Sequence, residues 1–243
     1  MRRYLITGAT SGVGYAVADK LRLHNDCELV IVGRDEQRLR TVAPGSLRVR
    51  RELVDLVGVE PYGLSQAIRT WAADLPFDGI FHAAGEETVL PLRMMDDARY
   101  RRTMTFADST FAILRAAVTR GVMRDSGSIV IMSSVAAHRG TAGMAAYSAA
   151  RAAAEAMVRV AAAELAPRGI RVNALAAGAF ASPMHERLMQ RQPEEARAAY
   201  ARKHPLGIGQ VDAVRDAVLH LLGPQSAWTT GAVMVVDGGY LAA

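Results

Sequence analysis

Residues Thr7-Gly8-Ala9-Thr10-Ser11-Gly12-Val13-Gly14 stand between a short apolar run, Tyr4–Thr7, and a stretch with helical spacing, Val13–Leu23. Such glycines allow a tight turn and a close approach of the backbone, and a helix that follows offers free N–H groups at its start. The reading is strand, glycine turn, helix, which opens a βαβ unit. The alternation continues outward. Strand-like runs recur at Glu28–Val32, Leu47–Glu52, Gly79–His82, Ser128–Ser133, Arg171–Leu175 and Val233–Val236. Helical spacing fills Glu36–Val42, Pro61–Ala73, Asp96–Arg120, Met144–Ala166 and Asp212–Leu222. Strands separated by helices pair in parallel with right-handed crossovers. The expected fold is therefore α/β: a doubly wound, Rossmann-type parallel sheet of about seven strands with helices on both faces. Several runs are apolar at consecutive positions, as burial from both sides requires.

The 243 residues suit a single domain, 1–243. With 51% hydrophobic and 22% charged residues, disorder is excluded. No apolar run reaches the roughly 18–20 residues of a bilayer span. Met1–Ile6 leads straight into a strand, unlike a signal peptide. Cys27 is the one cysteine, so an intrachain disulfide and a multi-cysteine zinc site are excluded. The expectation is a cytoplasmic protein without membrane association. The net charge is +5, but basic residues are dispersed, with local runs only at Arg48, Arg50, Arg51 and at Arg99, Arg101, Arg102. Aromatics do not interleave with them, so nucleic acid is not an expected partner. One stretch breaks the alternation. Residues Ala179–Pro205 follow a strand with a polar, arginine-rich helical pattern. In a doubly wound sheet this lies over the carboxyl ends of the strands, as a substrate lid whose Met184 and Leu188 line an apolar pocket. His185 and His204 lack carboxylates at ligand spacing, so no metal site is expected.

The glycine turn is where such a fold takes a pyrophosphate, which assigns Gly8, Thr10, Ser11, Gly12, Val13 and Gly14 to a dinucleotide. The second strand ends Val32-Gly33-Arg34, with no acid in position to hold a ribose 2′-hydroxyl. A guanidinium there pairs with a 2′-phosphate, which selects NADP(H) over NAD. The competing reading is that Arg34 pairs with a surface acid such as Asp35 or Glu36. Asp55 and Leu56, after the third strand, are placed to flank the adenine.

Further motifs follow. Ser134 precedes Tyr147 by thirteen residues, and Arg171-Val172-Asn173-Ala174 and Thr230-Gly231…Val236-Asp237-Gly238-Gly239 come later. Together with the glycine turn, this spacing resembles the short-chain dehydrogenase/reductase family over essentially the whole chain, particularly its single-domain 3-oxoacyl-carrier-protein reductases. The resemblance implies Tyr147 as the acid/base that protonates a carbonyl as hydride arrives, and Ser134 as the hydroxyl that orients it. A phenol ionises near pH 10 and exchanges protons readily at neutral pH only beside a positive charge. The resemblance also adds Ala83, Ala84, Gly85, Tyr147, Arg151, Gly178, Phe180 and Ser182 to the cofactor site. It places Ser134, His138 and Tyr147 near the substrate, together with Met184 and Leu188.

Four positions depart from the family. The lysine expected four residues after the tyrosine is Arg151, and the only lysines of the chain are Lys20 and Lys203. The asparagine expected on the fourth helix falls on Phe106, and no asparagine lies between Asn25 and Asn173. His82-Ala83-Ala84-Gly85 opens with a histidine in place of asparagine, and Ala177-Gly178 replaces Pro-Gly. Arg151 keeps a positive charge and can bind a ribose, but does not give up a proton. His82 is expected to take over hydrogen bonds within the sheet.

The function so implied is NADP-dependent reduction of a ketone or 3-oxoacyl thioester, as a small molecule or on an acidic carrier protein. The assembly implied is a homo-oligomer, a tetramer or dimer built on Asp96–Arg120, Met144–Ala166 and the last strand. The departures keep a second reading open. In it, the chain performs non-redox proton transfer (dehydration, isomerisation or cyclisation) with Tyr147 and His138, or serves as a non-catalytic partner subunit of an active homologue.

Overall fold

Seven parallel strands form one sheet in the order β3-β2-β1-β4-β5-β6-β7 in the computed structural model, which describes residues 1–190 and 192–243. Arg191, inside the 179–205 stretch, lies outside the described residues. The strands are β1 (Arg2–Thr7), β2 (Cys27–Gly33), β3 (Val49–Leu53), β4 (Phe77–His82), β5 (Met123–Ser134), β6 (Arg171–Ala177) and β7 (Val233–Val236). The helices are α1 (Gly12–Leu21), α2 (Glu36–Thr41), α3 (Pro61–Ala72), α4 (Asp97–Ala117), α5 (Ala145–Leu165), α6 (Pro183–Met189), α7 (Glu194–Arg202) and α8 (Val211–Leu222).

Alternate residues of each central strand feed two separate cores. Leu5, Val30, Val32, Ile80, Ile129 and Ile131 pack under α3, α4 and α5. Their neighbours Ile6, Leu29, Ile31, Phe81 and Val130 pack under α1, α2 and α8. This is why the central strands read as unbroken apolar runs: neither face meets water. The expected doubly wound sheet is present. One boundary differs. β5 starts at Met123, five residues before the apolar run at Ser128, because Met123 pairs with Phe77 across an irregularity in register. The intervening Arg124-Asp125-Ser126 carries no apolar signal that would reveal it.

The chain runs from β1 to β2 and β3 on one side and from β4 onward on the other. The carboxyl ends of β1 and β4 therefore border the place where the strand order reverses, and a crevice opens there. Residues 179–205 lie over it as α6 and α7. Their base is tied down by His204, whose Nε2 accepts from the Ala179 N–H at 3.2 Å. That contact puts the ring proton on Nδ1, which donates to the Tyr200 carbonyl at 3.2 Å. Among the described residues, no helix is long and apolar enough to cross a membrane.

Candidate active site

The crevice encloses about 840 Å³ and runs from the glycine turn past the ends of β2 and β3 to Tyr147. At its floor the turn between β1 and α1 is glycine for steric reasons. Gly8 has φ +69°, and a Cβ there would stand 2.7 Å from the Ala84 nitrogen. A Cβ at Gly14 would run into the Gly8 carbonyl, so the helix start could not close on β1. Gly12, at φ +53°, meets nothing within 4 Å on its open side. Ser11 begins α1 without a side-chain cap, which leaves the first-turn N–H groups to a ligand. Gly8, Thr10, Ser11, Gly12, Val13 and Gly14 all line the crevice, a cradle that fits a diphosphate.

At the end of the crevice beside β2 and β3 stand Arg34, Asp55 and Leu56, joined by Arg38, Glu86 and Arg102. Arg34 does not pair with Asp35 or Glu36. Those acids hold Arg38 and Arg40 of α2. Arg34 Nη1 instead lies 2.6 Å from Glu86 Oε1, and Arg102 donates to the same carboxylate from Nε at 2.6 Å and from Nη2 at 2.7 Å. The paired guanidinium groups of Arg102 and Arg34 hold the Glu86 carboxyl below its usual range. Asp55 Oδ1 accepts from the Val57 N–H at 3.1 Å, which stiffens the loop after β3.

At the other end Ser134, Tyr147 and Arg151 line one wall. Tyr147 and Arg151 are one turn apart on α5, whose alanines let it lie close against α4 and β5. Arg151 is only 3% exposed. Its Nη1 donates to the Met132 carbonyl at 2.6 Å. Its guanidinium carbon lies 3.5 Å from the centre of the Phe106 ring and 4.9 Å from that of Tyr147. Behind Phe106, the ring of His82 is stacked at 4.8 Å and 11°. His82 bonds Thr7 Oγ1 from Nδ1 at 2.7 Å and Ser109 Oγ from Nε2 at 3.0 Å, the role in the sheet expected of it. Complete burial, with Arg151 adding repulsion, pushes its pKa down to about 3, so the ring is neutral. Ser134 Oγ accepts from the Ala136 N–H at 3.2 Å and keeps its own proton to donate.

Ala83, Ala84, Gly85, Gly178, Phe180, Ser182, Met184 and Leu188 also line the crevice. Ser182 Oγ caps α6 by accepting from His185 N at 3.2 Å. Gly178 is held against β7, where a Cβ would come 2.7 Å from Asp237 Cα. His138 is not among the residues that line the crevice. Its Nε2 lies 3.0 Å from Oε1 of buried Glu155, which also accepts from Ser133 Oγ at 2.5 Å. A buried carboxylate must be satisfied, and the imidazole supplies one of its partners.

Sequence reasoning passed over Glu87, Tyr200 and Tyr240, which also line the crevice. Burial pushes the Glu87 carboxyl up, against the opposing pull of Arg151, and pushes the Tyr200 phenol up to about 12. The signal available for Glu87 was its place: an acid just beyond a glycine at the carboxyl end of a central strand, where ligands bind.

The family model for enoyl-(acyl carrier protein) reductase matches residues 8–241. The 3-oxoacyl-[acyl-carrier-protein] reductase of Thermotoga maritima is 31% identical over 97% of this chain and 96% of its own. Among solved structures, a short-chain type dehydrogenase/reductase from Mycobacterium ulcerans is 28% identical with a TM-score of 0.88, covering 99% of this chain and 90% of that one. A Beutenbergia cavernae protein described as an NAD(P)-dependent gluconate 5-dehydrogenase, with NADP bound at low occupancy, is 26% identical with a TM-score of 0.88, covering 100% and 97%. With a dinucleotide cradle, a Ser–Tyr pair and a buried cation in one crevice, and relatives matched from end to end, the chain belongs to the short-chain dehydrogenase/reductase family and is an oxidoreductase of that family.

Proposed function

We propose that this protein is an NADP(H)-dependent carbonyl reductase that acts on a ketone or a 3-oxoacyl thioester. The observation that carries the reading is the single crevice that joins the glycine cradle to Ser134, Tyr147 and Arg151. The nicotinamide dinucleotide supplies the hydride. The first-turn N–H groups of α1 hold its diphosphate, and Gly178 lets it lie close to the end of β6. Arg34, with Arg38 and Arg102 nearby, faces the added phosphate of NADP, which would compete with Glu86 for the guanidinium. Arg151 donates to a ribose hydroxyl from the crevice wall, and its charge favours the ionised phenol of Tyr147. Ser134 donates to the substrate oxygen, and Tyr147 delivers the proton to it. Met184 and Leu188, on α6, supply an apolar cover for an acyl chain or ring.

The relatives differ in what their names say they act on, a carrier-bound 3-oxoacyl group in one and gluconate in the other. A thioester on an acidic carrier protein suits the basic surface of this chain. The outer faces of α4 and α5 expose Phe111, Val118 and Val160, which a second copy of the chain would cover in a homo-oligomer.

The test is NADPH oxidation followed at 340 nm against a panel of 3-oxoacyl thioesters and simple ketones, with NADH in parallel. Turnover with NADPH on at least one of them is expected. Tight NADPH binding without oxidation of any would turn the reading to non-redox proton transfer or to a partner-subunit role.

A further inference from the structure

The three replacements at His82, Phe106 and Arg151 are scattered in sequence but touch in space. His82 lies on β4, Phe106 on α4 and Arg151 on α5, and their side chains form one pile that ends at the Tyr147 ring. All three are at most 3% exposed. Arg151 Nη1 is tied to the Met132 carbonyl, while its Nε is buried with no hydrogen-bond partner among the described residues. An unsatisfied buried N–H on a charged group is costly, and the cation–π contact of the guanidinium with Phe106, 3.5 Å from ring centre to carbon, offsets part of that cost. Gly85 closes the pile from the crevice side: a Cβ there would stand 2.7 Å from Arg151 Nη2 and 3.0 Å from Phe106 Cδ2. Nη2 is thereby set at the wall beside a backbone without a side chain.

We infer that Phe106, backed by His82, is a positioning residue: the stack clamps Arg151 as a fixed, non-titrating cation that presents Nη2 to a cofactor hydroxyl beneath Tyr147. The inference rests on the reductase reading for what Nη2 serves, but the stack stands on its own geometry. Its hydrogen bonds anchor the far end, since His82 is fixed by Thr7 and Ser109 and cannot slide away from Phe106. A guanidinium held in this way cannot pass a proton on, so Tyr147 exchanges its proton through the crevice rather than through the floor of the site.

The test uses the full chain in two measurements. In the first, ¹⁵N-arginine NMR locates the Arg151 Nε–H signal, assigned by its loss in Arg151→Lys. An upfield ring-current shift of the order of 1 ppm is expected, and Phe106→Leu should abolish it. In the second, NADPH binding and turnover are compared for Phe106→Leu, Phe106→Tyr and the combination of Phe106→Leu with Arg151→Lys. Phe106→Leu should weaken NADPH binding and lower kcat about tenfold each with KM for the carbonyl substrate unchanged, and Phe106→Tyr should restore both to within threefold. In the Arg151→Lys background, Phe106→Leu should have less than a twofold effect, because neighbours in one stack are not additive. An Arg151 signal at its ordinary position, additive effects, or unchanged NADPH affinity in Phe106→Leu would overturn the inference. A shifted, Phe106-dependent signal in a chain that binds no nicotinamide nucleotide would confirm the stack and overturn the reductase reading instead.

Discussion

The two ends of the crevice use the same residue type in opposite ways. At the end beside β2 and β3, Arg34 and Arg102 are half-exposed, and both lean on Glu86. Water and salt screen them, and the carboxylate can be exchanged for a phosphate at little cost. At the other end, Arg151 is buried between aromatic rings, with a single backbone carbonyl as its hydrogen-bond acceptor. Its charge cannot be screened, neutralised or re-paired without moving α4 or α5. A surface guanidinium is suited to choosing between ligands, and a buried one to holding a geometry. The near-complete use of arginine in a chain with only two lysines fits both.

The contrast can be broken in graded steps. Tyr147→Phe removes the phenol oxygen that the proposed reduction uses at the buried end. Turnover should fall by about 10³-fold, within the range for loss of a general acid, while NADPH binding by fluorescence changes less than threefold. Retained turnover would remove Tyr147 from the chemistry.

The next step tests the burial of His82. Its pKa is depressed from 6.5 to about 3, so the unfolded chain binds the extra proton between those values. Stability is therefore lost as pH falls from about 6.5 toward 3 and is fully present above that window. At about pH 4 the loss is of the order of 3 kcal/mol from this group. His82→Asn should flatten the urea midpoint over that pH range relative to the parent chain. Parallel curves for the two proteins would mean that the ring opens to solvent on protonation.

Smaller effects belong to the exposed end. Arg34→Ala should weaken NADPH binding by about 10- to 30-fold and leave NADH binding within twofold, with the difference shrinking in 0.5 M salt (roughly a 4 Å screening length). Equal losses for both nucleotides would place Arg34 outside the phosphate site. Glu86→Gln removes the competing carboxylate and should tighten NADPH about threefold at low salt, again without effect on NADH. A weakening there would mean that Glu86 orients the arginines rather than competing for them.

Much of this was legible before any coordinates. The glycine turn, the strand–helix alternation and the Ser134–Tyr147–Arg151 spacing are local patterns, and local patterns are what backbone sterics and helical or strand periodicity write into a sequence. Position along the sheet follows from them, which is why the glycine turn and the Ser134, Tyr147 and Arg151 wall could be assigned to one crevice. The partners that the sequence did not name share another cause. His138 sits a few residues from Ser134, yet its partner Glu155 comes from a helix seventeen residues on. Arg34 has acids beside it, yet its partner Glu86 is fifty-two residues away.

The chain's order of residues was sufficient for the doubly wound sheet, the placement of a ligand at the carboxyl ends of the strands, and the presence of a cation one turn below Tyr147. Only the tertiary structure decided which face each cation meets: a carboxylate in water for Arg34, and a ring in the dark of the core for Arg151. Periodicity sets which side of an element a residue occupies. The partner it finds there depends on how elements far apart in the chain pack, and that depends on the shape and burial of every side chain between them.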